Sequence, residues 1–143
     1  SVMKIASESE TIEDFYNKNP KLSFSRIPIY SKKTDNITGY VLKDNILEQI
    51  VKKNGNSPLV SIKRKSIFSN YESLIPKVFD RLIKDREHIS IVTDEYGTVT
   101  GIVTMEDIIE TLLGREIMDE TDTVKDMQVL AKTKEQISKK NSI

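Results

Sequence analysis

Thr104 and Asp107 stand three residues apart, where a β-branched run gives way to a helical pattern. A helix start carries N–H groups with no partner inside the helix and a partial positive charge, so it favours an anion such as phosphate. The Thr104 hydroxyl adds a donor there, and the Asp107 carboxylate, one turn on, adds an acceptor. The tetrapeptide Thr104-Met105-Glu106-Asp107 also has a purely structural reading. It has the spacing of a capping box, with Thr as N-cap and an acid at the third helical position. The two readings use the same residues and are compatible.

Other chemistry is scarce. The 143-residue chain has no cysteine and one histidine, His88, which excludes disulfide scaffolds, Cys-ligated metal sites and two-His catalytic sets. His88 opens a strand and reads as structural. No nucleophile–base pair, metal triad or phosphate-binding Gly loop is present, so an enzyme is not expected. Lys+Arg and Asp+Glu are 22 each, which argues against a nucleic-acid partner. Glu116, Asp119, Glu120 and Asp122 form an acidic cluster with oxygens that suit Mg²⁺, though a solvated acidic segment is the first reading. The basic tripeptide Lys63-Arg64-Lys65 reads as a solvated loop, with an inter-domain contact as the sharper alternative. No apolar stretch is long enough to span a membrane, and the Ser-Val-Met-Lys start has no apolar signal segment, so a soluble, intracellular-type piece is expected.

The elements that must position Thr104 and Asp107 occur twice. Ser25–Glu48 lies over Glu87–Glu110 without a gap, with Ile27/Ile89, Ile29/Ile91, Thr38/Thr100, Gly39/Gly101, Val41/Val103, Ile46/Ile108 and Glu48/Glu110 identical. Each copy opens with a short strand, in Met3–Ala6 and within Leu59–Phe68. A helix follows, with Thr11 and Ser73 as expected N-caps. Leu74, Val78 and Leu82 mark a wide apolar face in copy two, and Pro20 stops the helix of copy one. Paired strands come next, Ile27–Tyr30 with Ile37–Leu42 and Ile89–Thr93 with Val99–Val103. The second pair is joined by the turn Asp94-Glu95-Tyr96-Gly97. A second helix then starts near Lys43 and near Thr104, with expected ends at Gly55 and Gly114. The fold class is α+β (α/β mixed), two β-α-β-β-α modules related by a pseudo-twofold axis. Module one is expected over 1–56, module two over 57–114, and an acidic segment with a helical tail over 115–143.

A duplicated β-α-β-β-α unit with Gly101-x-x-Thr104-x-x-Asp107 at the second strand–helix junction resembles a CBS-domain pair, or Bateman module. Four strings narrow the resemblance: Ser25-Arg26-Ile27-Pro28-Ile29-Tyr30, Asp94-Glu95-Tyr96-Gly97, Gly101–Asp107 and Glu116–Asp122. Together, over roughly residues 3 to 131, they are similar to the CorC/HlyC (hemolysin-like) and cyclin M-type membrane proteins. The resemblance implies an N-terminal transmembrane domain in the parent chain and an association with magnesium or cobalt transport. It further implies a CBS pair on the cytoplasmic side of the membrane that forms a homodimer and binds an adenine nucleotide, AMP or ATP, with Mg²⁺ as a possible companion. The chain then reads as a regulatory fragment, with a ligand-free dimerisation scaffold as the alternative. The family's nucleotide lies between the two modules. By position the resemblance carries over Ser25, Arg26, Pro28, Thr104, Glu106 and Asp107. Phe24 joins them as a surface for the base, and Asp107 as an acceptor for ribose hydroxyls. Leu42 and Asn45 replace Thr104 and Asp107 in copy one, so at most one competent site per chain is expected. A homodimer would use surplus apolar residues on the last helix, among Ile108, Ile109, Leu112 and Leu113.

Overall fold

The structure is a computed structural model that describes residues 4–118. The expected tail and Asp119, Glu120 and Asp122 of the acidic cluster lie outside the described residues. The chain divides between Lys65 and Ser66 into two compact units. The first holds β1 (Ala6–Ser7), α1 (Ile12–Lys18), β2 (Arg26–Tyr30), β3 (Ile37–Leu42), α2 (Lys43–Val51) and a 3₁₀ turn, Leu59–Ile62. The second holds β4 (Ile67–Asn70), α3 (Ile75–Asp85), β5 (Ile89–Thr93), β6 (Val99–Thr104) and α4 (Met105–Met118). Each unit has a three-stranded mixed sheet, β1-β2-β3 or β4-β5-β6, with the first pair parallel and the second antiparallel. The duplicated β-α-β-β-α order read from the sequence is present.

Helix α1 forms because Thr11 caps it, accepting from Asp14 N at 3.1 Å, while Ile12 and Phe15 are buried in the first core. Helix α3 differs from expectation. Its N-cap is Leu74, with no side-chain cap, and Ser73 Oγ instead accepts from Asn70 N in the preceding turn. Burial of Ile75, Val78 and Leu82 in the second core supplies what the cap does not. Helix α2 ends at Val51 rather than Gly55, and α4 continues through Gly114 to Met118. Glycine at a helix end is a preference set by backbone freedom, so it does not by itself stop a helix. The turn between β5 and β6 is as expected: Gly97 has φ 84°, and Asp94 Oδ1 accepts from Tyr96 N and Thr98 N.

Residues 57–65, expected with the second module, are bound to the first unit. Leu59 N donates to Glu10 O, Val60 N to Glu8 O, and Ile12 N to Ser57 O, and Leu59 is fully buried in the first core. The tripeptide Lys63-Arg64-Lys65 is not simply a solvated loop either. Arg64 and Tyr40 exchange both backbone hydrogen bonds, at 2.8 and 3.1 Å, so this segment runs along the edge of β3.

The two copies also differ by one residue in register. Arg26 pairs with Leu42, but Ile89, not His88, pairs with Thr104. The gapless alignment therefore holds for β3 and β6 and slips by one on β2 and β5. The connection over 31–36 is one residue longer than that over 94–98. Side chains alternate across a strand, so one residue changes the face. Structurally, Ser90 and Val92 stand where Ile27 and Ile29 stand. Ser90 is fully buried, and its Oγ pairs with Ser69 Oγ at 2.6 Å across the parallel β4–β5 pair. That hydrogen bond satisfies two hydroxyls in an otherwise apolar layer.

The edge pairing of Arg64 explains Gly39. A Cβ there would fall 2.5 Å from Arg64 O, whereas at Gly101, its counterpart on β6, a Cβ meets nothing within 4 Å among the described residues. Gly39→Ala is expected to destabilise the chain by about 1–3 kcal/mol, and Gly101→Ala to stay within about 0.5 kcal/mol of wild type. Urea denaturation midpoints of the two variants check this. Equal sensitivity of both glycines would show that the Arg64 approach is not the cause.

Candidate functional site

Strand β6 runs without a break into α4, so Thr104 is both the last residue of the strand and the residue before the helix. Its backbone is tied to Ile89 in the β5–β6 ladder, which sets where the helix begins. Thr104 is 8% exposed, Asp107 is half-buried and Glu106 is exposed. The Thr104 hydroxyl donates to Asp107 Oδ2 at 2.8 Å and accepts from Asp107 N at 3.1 Å. Asp107 Oδ2 also accepts from Thr104 N at 3.3 Å. This is a reciprocal capping box, closed further by Thr111 Oγ1 donating to Asp107 O. The next first-turn donor is also engaged, because Met105 N donates to the carbonyl of His88 at 2.9 Å. His88 thus serves the helix start through its backbone, while its side chain is exposed.

A hydroxyl has one proton to donate. Here the Thr104 hydroxyl donates to Asp107 Oδ2, so a phosphate at this helix start can accept that hydrogen bond only by displacing the carboxylate. The capping box read from the sequence is present, and it couples the two side chains that the ligand reading used as separate contacts. The corresponding junction of the first unit lacks this chemistry. Leu42 precedes α2 with no side-chain cap, as the departures Leu42 and Asn45 implied.

The remaining candidates lie together on one segment of the first unit. Phe24 is half-buried and Ser25 is exposed, with its carbonyl accepting from Lys43 N at 2.9 Å. Arg26 is half-buried at the start of β2, and Pro28 is buried in its middle, opposite Tyr40. Proline in a central strand removes a ladder donor. It is tolerated here because Tyr40 gives both its backbone groups to Arg64, so Pro28 faces a pair without hydrogen bonds on that side. On the other side β1 reaches only Ile29 and Tyr30. Among the described residues no group of three or more His, Cys, Asp or Glu side chains could hold a metal ion.

The cap makes a stability prediction separate from any ligand. Thr104→Val removes the hydroxyl that satisfies Asp107 N and should cost about 1 kcal/mol, within a range of about 0.5–2. Thr104→Ser should retain most of it. Denaturant unfolding of both variants decides this, and equal loss in both would show that keeping the hydroxyl does not keep the stability, so that the cap bond is not its source.

Comparison with known proteins agrees with this architecture. The CBS domain family model matches residues 61–114. Hemolysin C of Rickettsia prowazekii is 37% identical over 98 residues, which are 68% of this chain and 32% of that protein. The curated relatives with such matches are longer proteins, of which this chain spans about a third or less, 32% and 23% in two further cases. Among solved structures, the CBS domain of the bacterial CNNM/CorC family Mg²⁺ transporter in complex with ATP is 26% identical. Its TM-score is 0.62, over 80% of this chain and 81% of that one. The CBS domain of a Clostridium difficile 630 protein is 31% identical with a TM-score of 0.62, over 78% of this chain and 85% of that one. Two β-α-β-β-α units, the Gly101/Thr104/Asp107 junction and these likenesses have one common explanation: the chain belongs to the CBS-domain family, as a tandem pair of the kind carried by CNNM/CorC and hemolysin-like proteins.

Proposed function

We propose that this CBS pair is the regulatory part of a transporter-like membrane protein and binds an adenine nucleotide, with Mg²⁺ accompanying the phosphates. The observation that carries the reading is the Thr104–Asp107 pair at the head of α4, in a chain whose solved relative at 26% identity holds ATP. In this reading the nucleotide opens the capping box. Its phosphate accepts the hydrogen bond of the Thr104 hydroxyl, and Asp107 turns to the ribose hydroxyls. Ser25, Arg26 and Pro28 contribute from the first unit, with Phe24 as an apolar surface for the base, and Glu106 contributes from the second. The chain acts by binding rather than by catalysis. The parent carries a membrane domain, and the CBS pair works on its cytoplasmic side. The nucleotide transmits a signal only to the extent that it favours one conformation of the pair over another.

A second reading has its own observation. The reciprocal bonds of Thr104 and Asp107 are a sufficient structural reason for both residues, so the pair could serve as a ligand-free dimerisation scaffold. Both readings propose a homodimer. On α4, Ile108 is fully buried and Leu112 packs on the core, while Ile109 and Leu113 are 38% and 54% exposed and suit a second copy.

A thermal-shift titration with AMP and ATP, each with and without Mg²⁺, separates the readings. A ligand at 100 times its Kd adds about 2.7 kcal/mol, several degrees for a domain of this size. The nucleotide reading expects that shift in wild type and its loss in Asp107→Ala and Arg26→Ala, each compared with its own unliganded midpoint. Absence of any shift on a folded protein leaves the scaffold. Light scattering at micromolar concentration should give a dimer, and Leu113→Glu should shift it towards monomer. A wild-type monomer would remove the dimer from both readings.

A further inference from the structure

The first two N–H groups of α1 are satisfied by the loop that follows α2. Ile12 N donates to Ser57 O at 2.9 Å and Glu13 N to Gly55 O at 2.8 Å. A helix cannot satisfy these donors from within itself. The loop is closed by Ser57 N donating to Asn54 O at 3.1 Å. Gly55 lies so close to α1 that a Cβ on it would stand 3.0 Å from Glu13 Cβ.

We propose that Asn54-Gly55 is a self-modification site, at which Asn54 converts without an enzyme into isoaspartate and aspartate. The Gly55 backbone nitrogen attacks the side-chain carbonyl carbon of Asn54. An N–C bond forms, the bond to the side-chain amide nitrogen breaks, and that nitrogen leaves as ammonia with the proton given up by Gly55. Water then opens the cyclic imide at one of its two carbonyls. One opening restores the main chain and leaves aspartate. The other routes the main chain through the side-chain carbon and leaves isoaspartate.

The site meets the requirements of this chemistry. Glycine has no side chain to block the ring closure and the freest backbone to reach it. Gly55 N donates no hydrogen bond among the described residues, so the attacking group is not engaged. Asn54 is exposed, which admits water and base. Its Nδ2 donates to Gln49 Oε1 at 3.1 Å, an exposed bond that is worth little against water. Other asparagines of the chain lack one of these conditions. At Asn56 the following nitrogen, Ser57 N, is bonded to Asn54 O. At Asn70 it is Tyr71 N, bonded to Thr93 O at 2.7 Å. Asn19 precedes Pro20, which has no N–H, and Asn45 lies within α2. Isoaspartate adds a carbon to the main chain immediately before Gly55, which draws Gly55 O away from Glu13 N. Both products also add a negative charge just beyond the C-terminal end of α2, where the helix dipole disfavours it. The modification therefore loosens the start of α1. It uses no residue of the proposed nucleotide site.

Ageing the full chain in warm, mildly alkaline buffer tests this, because base assists the attack by Gly55 N. Trypsin cuts after Lys53 and Lys63, and fragment spectra of the peptide between them read Asn54 and Asn56 separately. Progressive loss of Asn54 to the acid forms is expected, with isoaspartate methyltransferase labelling and with Asn56 retained. The thermal midpoint of the aged chain should shift down by several degrees. Asn54→Ser should hold its midpoint through the same ageing. Asn54→Asp, which adds the charge but not the extra carbon, should fall less than the aged wild type. An unchanged Asn54, or conversion of Asn56 at the same rate, overturns the site. A converted chain with an unshifted midpoint overturns its effect on α1.

Discussion

The register of the central strands governs what each unit can bury. A three-stranded sheet has one central strand, and its alternating side chains supply the layer on which the helices pack. In the first unit Ile27 and Ile29 of β2 join Val41 beneath α1 and α2. In the second, Val92 of β5 joins Val103 beneath α3 and α4, and Ser90 occupies the remaining inward place. The same ladder sets the pairing of Ile89 with Thr104 and hence the start of α4. A slip of one residue would turn Val92 away from the helices and move the Thr104 junction with it.

In the proposed function that junction places stability and binding on the same atoms. The Thr104 hydroxyl, the Asp107 carboxylate and two backbone N–H groups are joined by reciprocal hydrogen bonds. An anion arriving there replaces bonds already made rather than filling unused capacity. The net gain is therefore smaller than a list of ligand contacts suggests. The same exchange links occupancy to the order of the first turn of α4, which is a physical route from ligand to helix.

Duplication has produced two units with one architecture and different local chemistry. Leu42 and Asn45 stand where Thr104 and Asp107 close the cap. Gly39 accommodates the backbone of Arg64, whereas its counterpart Gly101 has open space among the described residues. Ser90 takes the place of Ile27 and requires Ser69 as a partner. These departures leave the helix-start chemistry in the second unit.

The element order, the caps at Thr11 and Thr104, the Asp94–Gly97 turn and the weakness of the Leu42 junction were legible in the sequence. Each depends on local backbone chemistry or on periodicity within a few residues. The tertiary structure alone decided features set by distant partners. Identical isoleucines drew Ile27 onto Ile89, yet strand pairing placed Ser90 there, because a hydrogen-bond ladder counts residues across the sheet rather than similarities along the chain. Ser73 left the cap of α3, since burial of Ile75, Val78 and Leu82 stabilises that helix without it. The pairing of Arg64 with Tyr40 had no motif to mark it, because it forms only when the segment after the 3₁₀ turn folds back along β3.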